Sequence, residues 1–378
     1  MKGVLAMYRQ LNSKKFFQTA VIFLVTLSLL LCGCTPSDKE TKITTDSSSE
    51  TLSVHYIDVG QGDSTFIELP NNQTMLIDAG NPADAASITS YIQRLGHTKL
   101  DYVVATHPHA DHIGGMADVI AAFDTESIYM PDVAHTSTVF DELVDTVYKK
   151  EIPAYRAKSG VTLMDENTLK IELLGPVGDE YNDLNEYSAV VKLSYGQTSF
   201  LFMGDSGFLS ENEIINSGAD ISATVLKCGH HGSSTSSGRL FMQKVSPKYA
   251  VISCGANNSY GHPHREVISL LQSMNAAVYR TDIDGTIVVS SDGNDISVEK
   301  EFDYKNKNDL SKSDAEVYAE KANQNSESTK IPSEIVYITK SGKCYHLPDC
   351  RSLKNSKISI SRAEAKKNNY TPCKSCKP

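Results

Sequence analysis

The segment that most constrains the fold of this chain is residues 106–115, which read Thr-His-Pro-His-Ala-Asp-His-Ile-Gly-Gly. Three imidazoles and one carboxylate fall within six residues, directly after the apolar run 101–105, which is typical of a buried strand. The glycine pair predicts a turn into the next element. Open α/β sheets carry their chemistry in loops at the carboxyl ends of strands, and imidazole with carboxylate suits zinc or manganese. The segment therefore predicts a metal-binding loop at a sheet edge; the alternative is a His-rich surface loop.

Two further clusters of polar side chains follow apolar strands in the same part of the chain. Asp205 comes after residues 200–203, and His230 and His231 come after residues 225–227. Strands alternate with helical segments, which predicts sheets covered by helices, and the opening hairpins predict a mixed sheet. If the sheet edges lie on one side, these residues converge on the loop near position 110. Taken alone, Asp205 would be typical of a turn-capping acid.

The first 34 residues carry the pattern of a secretory signal. Basic residues precede a short apolar run that ends at Leu-Cys-Gly-Cys, and this run is too short for a comfortable membrane span. The segment Leu-Cys-Gly-Cys-Thr resembles a bacterial lipobox, which implies lipidation of Cys34. We therefore expect an exported lipoprotein that is anchored to the outer face of the bacterial cytoplasmic membrane. An uncleaved signal anchor and simple secretion are the alternatives.

Composition divides the rest of the chain. Residues 35–51 are polar and predict a flexible stalk, and residues 52–302 are the predicted main domain. Residues 51–302 hold 15 Lys and Arg against 33 Asp and Glu, a balance of −18. Residues 303–332 predict a linker, and residues 333–378 hold 10 Lys and Arg against 3 Asp and Glu, a balance of +7. This reversal of charge is a hint of function.

Several ordered motifs resemble those of one known family. The His-rich loop resembles that of the metallo-β-lactamase-fold hydrolases. Together with residues 57–64, 76–80, 203–205, 230–233 and 260–264, it is similar to the soluble domain of ComEC-type competence proteins. The resemblance covers about residues 52–300 and leaves out the membrane channel of those proteins. It implies an α/β fold, an αββα sandwich with the metal site at the sheet edges.

The resemblance also implies roles for individual residues and for one or two divalent metals, zinc or manganese. His107 and His109 would bind the first metal, while Asp111, His112 and His230 would bind the second and Asp205 would bridge them. Which of His230 and His231 is the ligand stays open, with His230 favoured. The remaining implied roles are catalysis (Asp111, His231), support of the ligands from behind (Asp58, Asp63, Asp78, Ser188) and contact with substrate (His262, His264). For the last pair, simple entry into a helix is an equal alternative.

One feature departs from the wider fold, which supplies a third His to the first metal. Between the His-rich loop and Asp205 the chain has only His135, which lies before a predicted helix and away from any strand end. The expected position falls near residues 185–188, which offer Asn and Ser instead. We therefore expect the first metal site to be looser and richer in oxygen ligands, which shifts the expected metal partly from zinc toward manganese.

The C-terminal segment 333–378 predicts a second metal site. His346, Cys350, Cys373 and Cys376 have the spacing of a structural zinc site, with 22 residues between the two pairs. The segment resembles the small Ada-type zinc-binding module, so the predicted architecture is an αββα sandwich with a small zinc-stapled C-terminal module. Cys344 could replace His346, and disulfide pairing is the alternative to zinc.

Two metals close together suit in-line displacement at phosphorus, so the function indicated is phosphodiester hydrolysis of DNA or RNA. The acidic main domain argues against a polyanionic partner, and the basic tail offers compensating phosphate contacts. Contact of the tail with anionic lipid or cell wall is the alternative. The rival functions are hydrolysis of a small ester, lactone or lactam, and non-catalytic binding in DNA uptake. Nucleic acid and the membrane are the expected partners, and no protein partner is predicted.

Overall fold

The computed structural model describes residues 51–302 and, nearer the C-terminus, residues 335–339, 342–346, 350–353, 358–361, 365–366, 370–374 and 376. The chain divides into two compact units, residues 1–303 and 304–378, and each is described by itself. The predicted signal segment with Cys34, most of the stalk, and the linker 303–332 lie outside the described residues.

Residues 51–302 alternate short strands with helices. The helices are α1 (Ala85–Arg94), α2 (Ala110–Ile113), α3 (Met116–Ala122), α4 (Thr138–Lys149), α5 (Phe208–Ser217), α6 (Arg239–Val245), α7 (Arg265–Ser273) and α8 (Thr281–Asp284). The strands are β1 (Leu52–Tyr56), β2 (Thr65–Glu68), β3 (Thr74–Ile77), β4 (Lys99–Leu100), β5 (Tyr102–Val104), β6 (Asp124–Thr125), β7 (Ile128–Met130), β8 (Ala154–Arg156), β9 (Thr162–Glu166), β10 (Leu169–Leu173), β11 (Val191–Tyr195), β12 (Thr198–Phe202), β13 (Val225–Lys227), β14 (Tyr249–Ile252), β15 (Ala277–Arg280), β16 (Ile287–Ser291) and β17 (Ile296–Lys300).

Two large mixed sheets form from these strands. Within residues 51–302, eight strands pair in the order β17-β16-β1-β2-β3-β5-β7-β8, and seven pair in the order β15-β14-β13-β12-β11-β10-β9. Each sheet has an antiparallel half built from hairpins and a parallel half, which begins at the β3–β5 pair in the first sheet and at the β12–β13 pair in the second. The prediction of mixed sheets is confirmed.

Side chains that alternate along the strands separate the molecule into layers. On β12, Phe200 and Phe202 pack between the two sheets, whereas Leu201 faces a third cluster with Ile214 of α5 and Phe241 of α6. On the first sheet, the side facing away from the second sheet is covered by α1, α3 and α4. The central strands of both sheets are therefore buried on both faces, whereas the edge strands β9 and β17 expose part of one face. The predicted αββα sandwich is confirmed.

The parallel strands of each sheet deliver their carboxyl ends to polar loops. Asp78 follows β3, the His-rich loop follows β5, Asp205 follows β12, and the pair of imidazoles follows β13. Contacts between these loops, described below, show that the two sheets present them at a shared edge. The sandwich thus assembles one site from residues distant in the chain.

The C-terminal unit contains two short strand pairs among its described residues. Strand β18 (Ile335–Ile338) pairs antiparallel with β20 (Ile358–Ser361), and β19 (Cys344–Tyr345) pairs with β21 (Thr371–Pro372). A small apolar cluster of Ile338, Tyr345 and Ala365 supports them. Across all the described residues, none of the helices combines the length and the apolar character needed to cross a bilayer.

Candidate metal centre

A cleft of about 320 Å³ lies at the shared edge of the two sheets. Its wall is built from the loops that follow β5, β12, β13 and β14, together with a turn before β11. The residues that line it are Gln61, His109, Ala110, Asp111, Asn185, Asp205, His230, His231, Tyr260 and His262. The predicted convergence of Asp205 and the later imidazoles on the His-rich loop is therefore what the structure shows.

Two groups of ligand-type atoms meet in this cleft and share Asp205. The first group consists of His107, His109 and Asp205, and the second of Asp63, His112, Asp205 and His231. In each group the candidate atoms lie within 4.8 Å of one another. The two carboxylate oxygens of Asp205 divide between the groups, because Oδ1 is 3.2 Å from Nε2 of His112 and Oδ2 is 3.8 Å from Nε2 of His107.

Asp78 orients two of the imidazoles, as predicted. His112 Nδ1 donates to Asp78 Oδ2 at 2.8 Å, which leaves Nε2 of His112 to face Asp205. Thr106 Oγ1 also donates to Asp78 Oδ2, at 2.7 Å, and lies 3.1 Å from Nδ1 of His107. One carboxylate thus fixes the ring of His112 directly and that of His107 through Thr106. Such partners behind a ligand fix its tautomer and its orientation.

His231, rather than the favoured His230, occupies the buried ligand position. Its Nδ1 lies 3.1 Å from the carbonyl oxygen of Ser253, so Nε2 turns toward the cleft, 3.2 Å from Asp111 and 3.7 Å from Asp205. His230 is less buried; its Nδ1 contacts Thr235 and its Nε2 lies 3.7 Å from Asp205. The prediction that gave ligation to His230 and catalysis to His231 is corrected accordingly. Both residues have left-handed φ values, 50° and 54°, and the contact with the Ser253 carbonyl holds the ring of His231 in the cleft.

Asp111, a predicted ligand, is in neither group, whereas Asp63, which was predicted to lie behind the ligands, belongs to the second group. The oxygens of Asp63 face Nδ1 of His231 at 3.3 Å and Nδ1 of His112 at 3.8 Å, which are the ring atoms directed away from Asp205. A buried lysine that the sequence analysis missed, Lys227, forms an ion pair with Asp63. Burial alone would raise the pKa of Asp63, but the charge of Lys227 and the neighbouring imidazoles hold it well below its ordinary value.

The donor set fits a divalent cation. His112 Nε2 and Asp205 Oδ1 are buried and face each other at 3.2 Å, but within the described part of the chain neither makes a well-aligned hydrogen bond. Although burial by itself favours the neutral acid, the charges of His112 and His231 hold the pKa of Asp205 well below its usual range. Buried carboxylates and imidazoles that converge on one point without well-aligned hydrogen bonds are the features of a metal site.

Close backbone approaches bring the loops together. A Cβ atom at Gly62 would lie 2.6 Å from the carbonyl oxygen of Asp111, which accepts a hydrogen bond from Asp63 N. Gly204 has a φ of 53°, and a Cβ there would lie 3.0 Å from both Ser188 and Thr106. Glycine at these two positions allows the ligand loops to pack directly on one another.

Two glutamates fasten the loops that carry Asp205 and the His pair. Glu186 accepts hydrogen bonds from the backbone amides of Gly207, at 3.3 Å, and Ser210, at 2.8 Å, at the start of α5. Glu211 accepts from the amides of Ser237 and Gly238, just before α6. Each carboxylate therefore occupies the amide-rich end of a helix that begins next to a ligand loop.

The other predicted residues divide between the cleft and its surroundings. Ser188 accepts from the Asp205 amide at 3.0 Å and lies 3.4 Å from His107 Nδ1, so it supports the ligands as predicted. Asp58 does not join them: its exposed carboxylate accepts from Gly60 N and lines a different groove, which corrects that prediction. His135 packs on Ser137 at the start of α4.

The two substrate-side candidates have different positions. His262 lines the cleft, stacks on the exposed Tyr260 at an interplanar angle of 20° and has its pKa lowered to about 4 by burial and the nearby His264. His264 instead accepts from Ser234 N at 2.8 Å and holds the loop in place. Tyr260 and His262 therefore form an uncharged aromatic surface at the rim of the cleft.

The sequence matches the profile of the metallo-beta-lactamase superfamily over residues 57–256, just over half of the 378-residue chain. The chain belongs to the metallo-β-lactamase superfamily. This match includes Asp63, the His-rich loop, Asp205 and the His pair. The αββα fold and the family resemblance predicted from the motifs are confirmed.

Members of this superfamily with competence-related names are among its relatives. ComE operon protein 3 of Bacillus subtilis is 31% identical over 251 residues, which are 62% of this chain and 32% of that protein. Competence protein ComA of Neisseria gonorrhoeae is 28% identical over 232 residues, 61% of this chain and 31% of that protein. The chain spans about a third of the length of the curated relatives it matches. It is thus a hydrolase of the metallo-β-lactamase fold related to competence proteins.

Among solved structures, a diphosphatase of the PhnP family aligns with 64% of this metallo-β-lactamase-fold chain and 96% of its own, at 14% identity and a TM-score of 0.38.

The C-terminal unit brings its predicted ligands together. The ligand atoms of His346, Cys350, Cys373 and Cys376 lie within 4.8 Å of one another, and Nδ1 of His346 is 3.2 Å from Sγ of Cys350. Among the described residues, Cys350, Cys373 and Cys376 are not joined in disulfides. Cys344 stands outside this group, with its sulfur 3.5 Å from Oγ1 of Thr371, so it does not replace His346.

Proposed function

We propose that this chain is a metal-dependent phosphodiesterase that cleaves DNA or RNA outside the cytoplasmic membrane. The observation that carries the proposal is the sharing of Asp205 between two ligand groups, each of which includes imidazoles. Two divalent cations, zinc or manganese, held by these groups would make bound water nucleophilic and stabilise the charge that develops at phosphorus. The chain's own residues supply the rest of the chemistry.

Their roles follow from position. Asp205 holds the two groups together, and Asp78 keeps the proton of His112 on Nδ1, so that Nε2 stays available. Asp111 is the partly exposed carboxylate at the cleft floor, with its side chain 32% exposed, and it can both ligate and accept a proton from attacking water. His230 lies beside it, at the cleft wall, where it can contact a substrate oxygen.

The rim of the cleft favours a nucleic acid over a small ester. Tyr260 is 66% exposed and lies parallel to His262, with 5.6 Å between the ring centroids. An aromatic face of this kind stacks a base whatever its sequence. The relatives include proteins named for competence and one named for recombination, which is compatible with this proposal. The acidic charge of residues 51–302 favours the rival, a small-molecule ester hydrolase, unless cations and the basic tail offset it.

We also propose that residues 1–34 export the chain and that lipid on Cys34 anchors it to the outer face of the cytoplasmic membrane. The proposal is supported by the order of segments in the sequence, in which basic residues precede an apolar run that ends at Leu-Cys-Gly-Cys. A tethered enzyme would meet nucleic acid at the cell surface.

The experiment compares substrates on the metal-loaded protein. We expect cleavage of linear DNA, plasmid or RNA, together with turnover of bis(p-nitrophenyl) phosphate. Tyr260→Ala should raise KM for an oligonucleotide roughly tenfold, because stacking contributes about 1–3 kcal/mol per base, and should leave the small ester unaffected. Tyr260→Phe, which keeps the ring, is the matched control. Turnover of the ester without any cleavage of nucleic acid would support the small-molecule hydrolase, and retention of uncleaved DNA would support a binding component.

The C-terminal cluster is proposed to hold one structural zinc ion, because its imidazole and three thiols form a complete tetrahedral donor set. Cys350→Ser is expected to remove one equivalent of zinc from the purified protein, measured by elemental analysis. Cys344→Ser, a change of the same kind outside the cluster, should keep it. Equal zinc contents in the two variants would contradict a zinc site there.

A further inference from the structure

The two ligand groups of the cleft are unequal. The group of His107, His109 and Asp205 offers three side chains, and one of them is shared with the other group. A divalent cation in a protein takes at least four ligands, and manganese commonly takes six, with oxygen favoured. A further oxygen from the cleft wall would therefore complete this group.

Asn185 carries a candidate oxygen. It belongs to the turn Leu184–Tyr187 and lines the same cleft as His109 and Asp205. Its amide oxygen, Oδ1, is buried and has no hydrogen-bond partner among the residues that the structure describes. Leaving such an atom unsatisfied costs about 1–3 kcal/mol, so it calls for a partner. Asp205 Oδ1 and His112 Nε2, which belong to the ligand groups, are in the same condition.

The turn that carries Asn185 is fixed to the metal loops at several points. The Asp183 carboxylate accepts a hydrogen bond from the backbone N–H of Asn185 at 3.0 Å. The backbone N–H of Ser188 donates to the backbone carbonyl of Asn185 at 3.0 Å. Ser188 Oγ in turn accepts from the Asp205 amide, and Glu186 holds the start of α5. The orphaned oxygen is thus placed by a rigid segment that also positions Asp205, and preorganisation of this kind is what a ligand needs.

We propose that the side-chain oxygen of Asn185 is a ligand of the cation held by His107, His109 and Asp205. The group then has two imidazole nitrogens and two oxygens, a donor set more favourable to manganese than one with three imidazoles. The proposal rests on the metal-dependent activity proposed above but not on the identity of the substrate. Its rival is a hydrogen bond from the Asn185 amide to a substrate phosphate.

Titration of the protein with Mn²⁺ in the absence of substrate separates these roles. Free Mn²⁺ is measured by electron paramagnetic resonance in the native protein and in Asn185→Ala, with Asn182→Ala, an exposed Asn three residues earlier, as the matched control. We expect Asn185→Ala to weaken binding of one Mn²⁺ by about tenfold or more, in the range known for loss of partners around metal ligands, and Asn182→Ala to leave it unchanged. Thermal unfolding in chelator checks that both variants fold.

A second variant tests the donor type. Asn185→His should raise the preference of this site for Zn²⁺ over Mn²⁺ by about tenfold or more, measured by competition, because it replaces an oxygen with a nitrogen. Unchanged Mn²⁺ binding in Asn185→Ala would overturn the proposal, and a raised KM with unchanged metal binding would identify a substrate contact instead. Asn185-dependent Mn²⁺ binding in a protein that cleaves no nucleic acid would leave this proposal standing and refute the proposed nuclease.

Discussion

Asp205→Ala is expected to lower phosphodiester hydrolysis by about 10³-fold or more, equivalent to roughly 4 kcal/mol of transition-state stabilisation. Asp205 is the residue common to both ligand groups, with one oxygen 3.2 Å from His112 and the other 3.8 Å from His107. In the proposed site, its removal would take one donor from each ligand group and the negative charge that would offset two nearby cations. The loss of activity is measured as the rate of hydrolysis of bis(p-nitrophenyl) phosphate. The loss of metal is measured by elemental analysis.

Asp58→Ala is the matched control for this change. Asp58 is an acidic residue next to a strand of the same domain, but its exposed carboxylate caps its own turn and lies in another groove. We expect the control to keep at least half of the activity and its full metal content. If Asp205→Ala retained more than a tenth of the activity with its metal content unchanged, the shared-ligand arrangement would be wrong.

The location of the site could be predicted from the sequence, because the ends of buried strands can be recognised where apolar runs stop. The apolar runs before His107, Asp205 and His230 predict strands, and parallel strands place their carboxyl ends at one edge. The structure confirms that these loops meet. The hydrophobic pattern of a sequence predicts well where a strand ends, because that pattern depends only on the burial of a few neighbouring residues.

The orientation of side chains within those loops is not readable in this way. The exchange between His230 and His231 depends on two consecutive left-handed residues, a backbone conformation that histidine adopts only occasionally and that its presence in a sequence does not specify. Asp58 and Asp63 stand at the two ends of the same turn, yet only Asp63 reaches the ligands. Such outcomes depend on contacts with Ser253 and Lys227, which are remote in sequence.

The residues missed altogether are charged groups with buried partners. Glu186 and Glu211 hold helix starts, and Lys227 ends the buried strand β13. A signal existed for Lys227, because a lysine directly after Val225 and Leu226 is unusual in a strand buried on both faces. Its partner could not be named, since 164 positions separate it from Asp63 in the chain.

Lys227→Met is expected to lower the free energy of unfolding by about 3–5 kcal/mol. The Lys227 ammonium and the Asp63 carboxylate are both buried, with 3% or less of each side chain exposed, so removal of the cation leaves a buried charge without its compensation. Burial alone would lower the pKa of Lys227, yet the charge and hydrogen bond of Asp63 raise it above its usual value, so the pair is ionised at neutral pH. Guanidinium unfolding in chelator, which removes stabilisation by bound metal, measures the loss.

Two comparisons make this result specific to the buried pair. Lys149→Met breaks an exposed pair with Asp145, whose side chains are 73% and 70% exposed, and should change stability by no more than about 0.5 kcal/mol. The double change Lys227→Met with Asp63→Asn removes the orphaned charge and should recover at least half of the loss. The double variant should nevertheless bind metal more weakly than the native protein, because Asp63 also faces Nδ1 of His231 and of His112. A loss below about 1 kcal/mol in Lys227→Met, or a double variant no more stable than the single one, would mean that the pair does not set the stability of this edge.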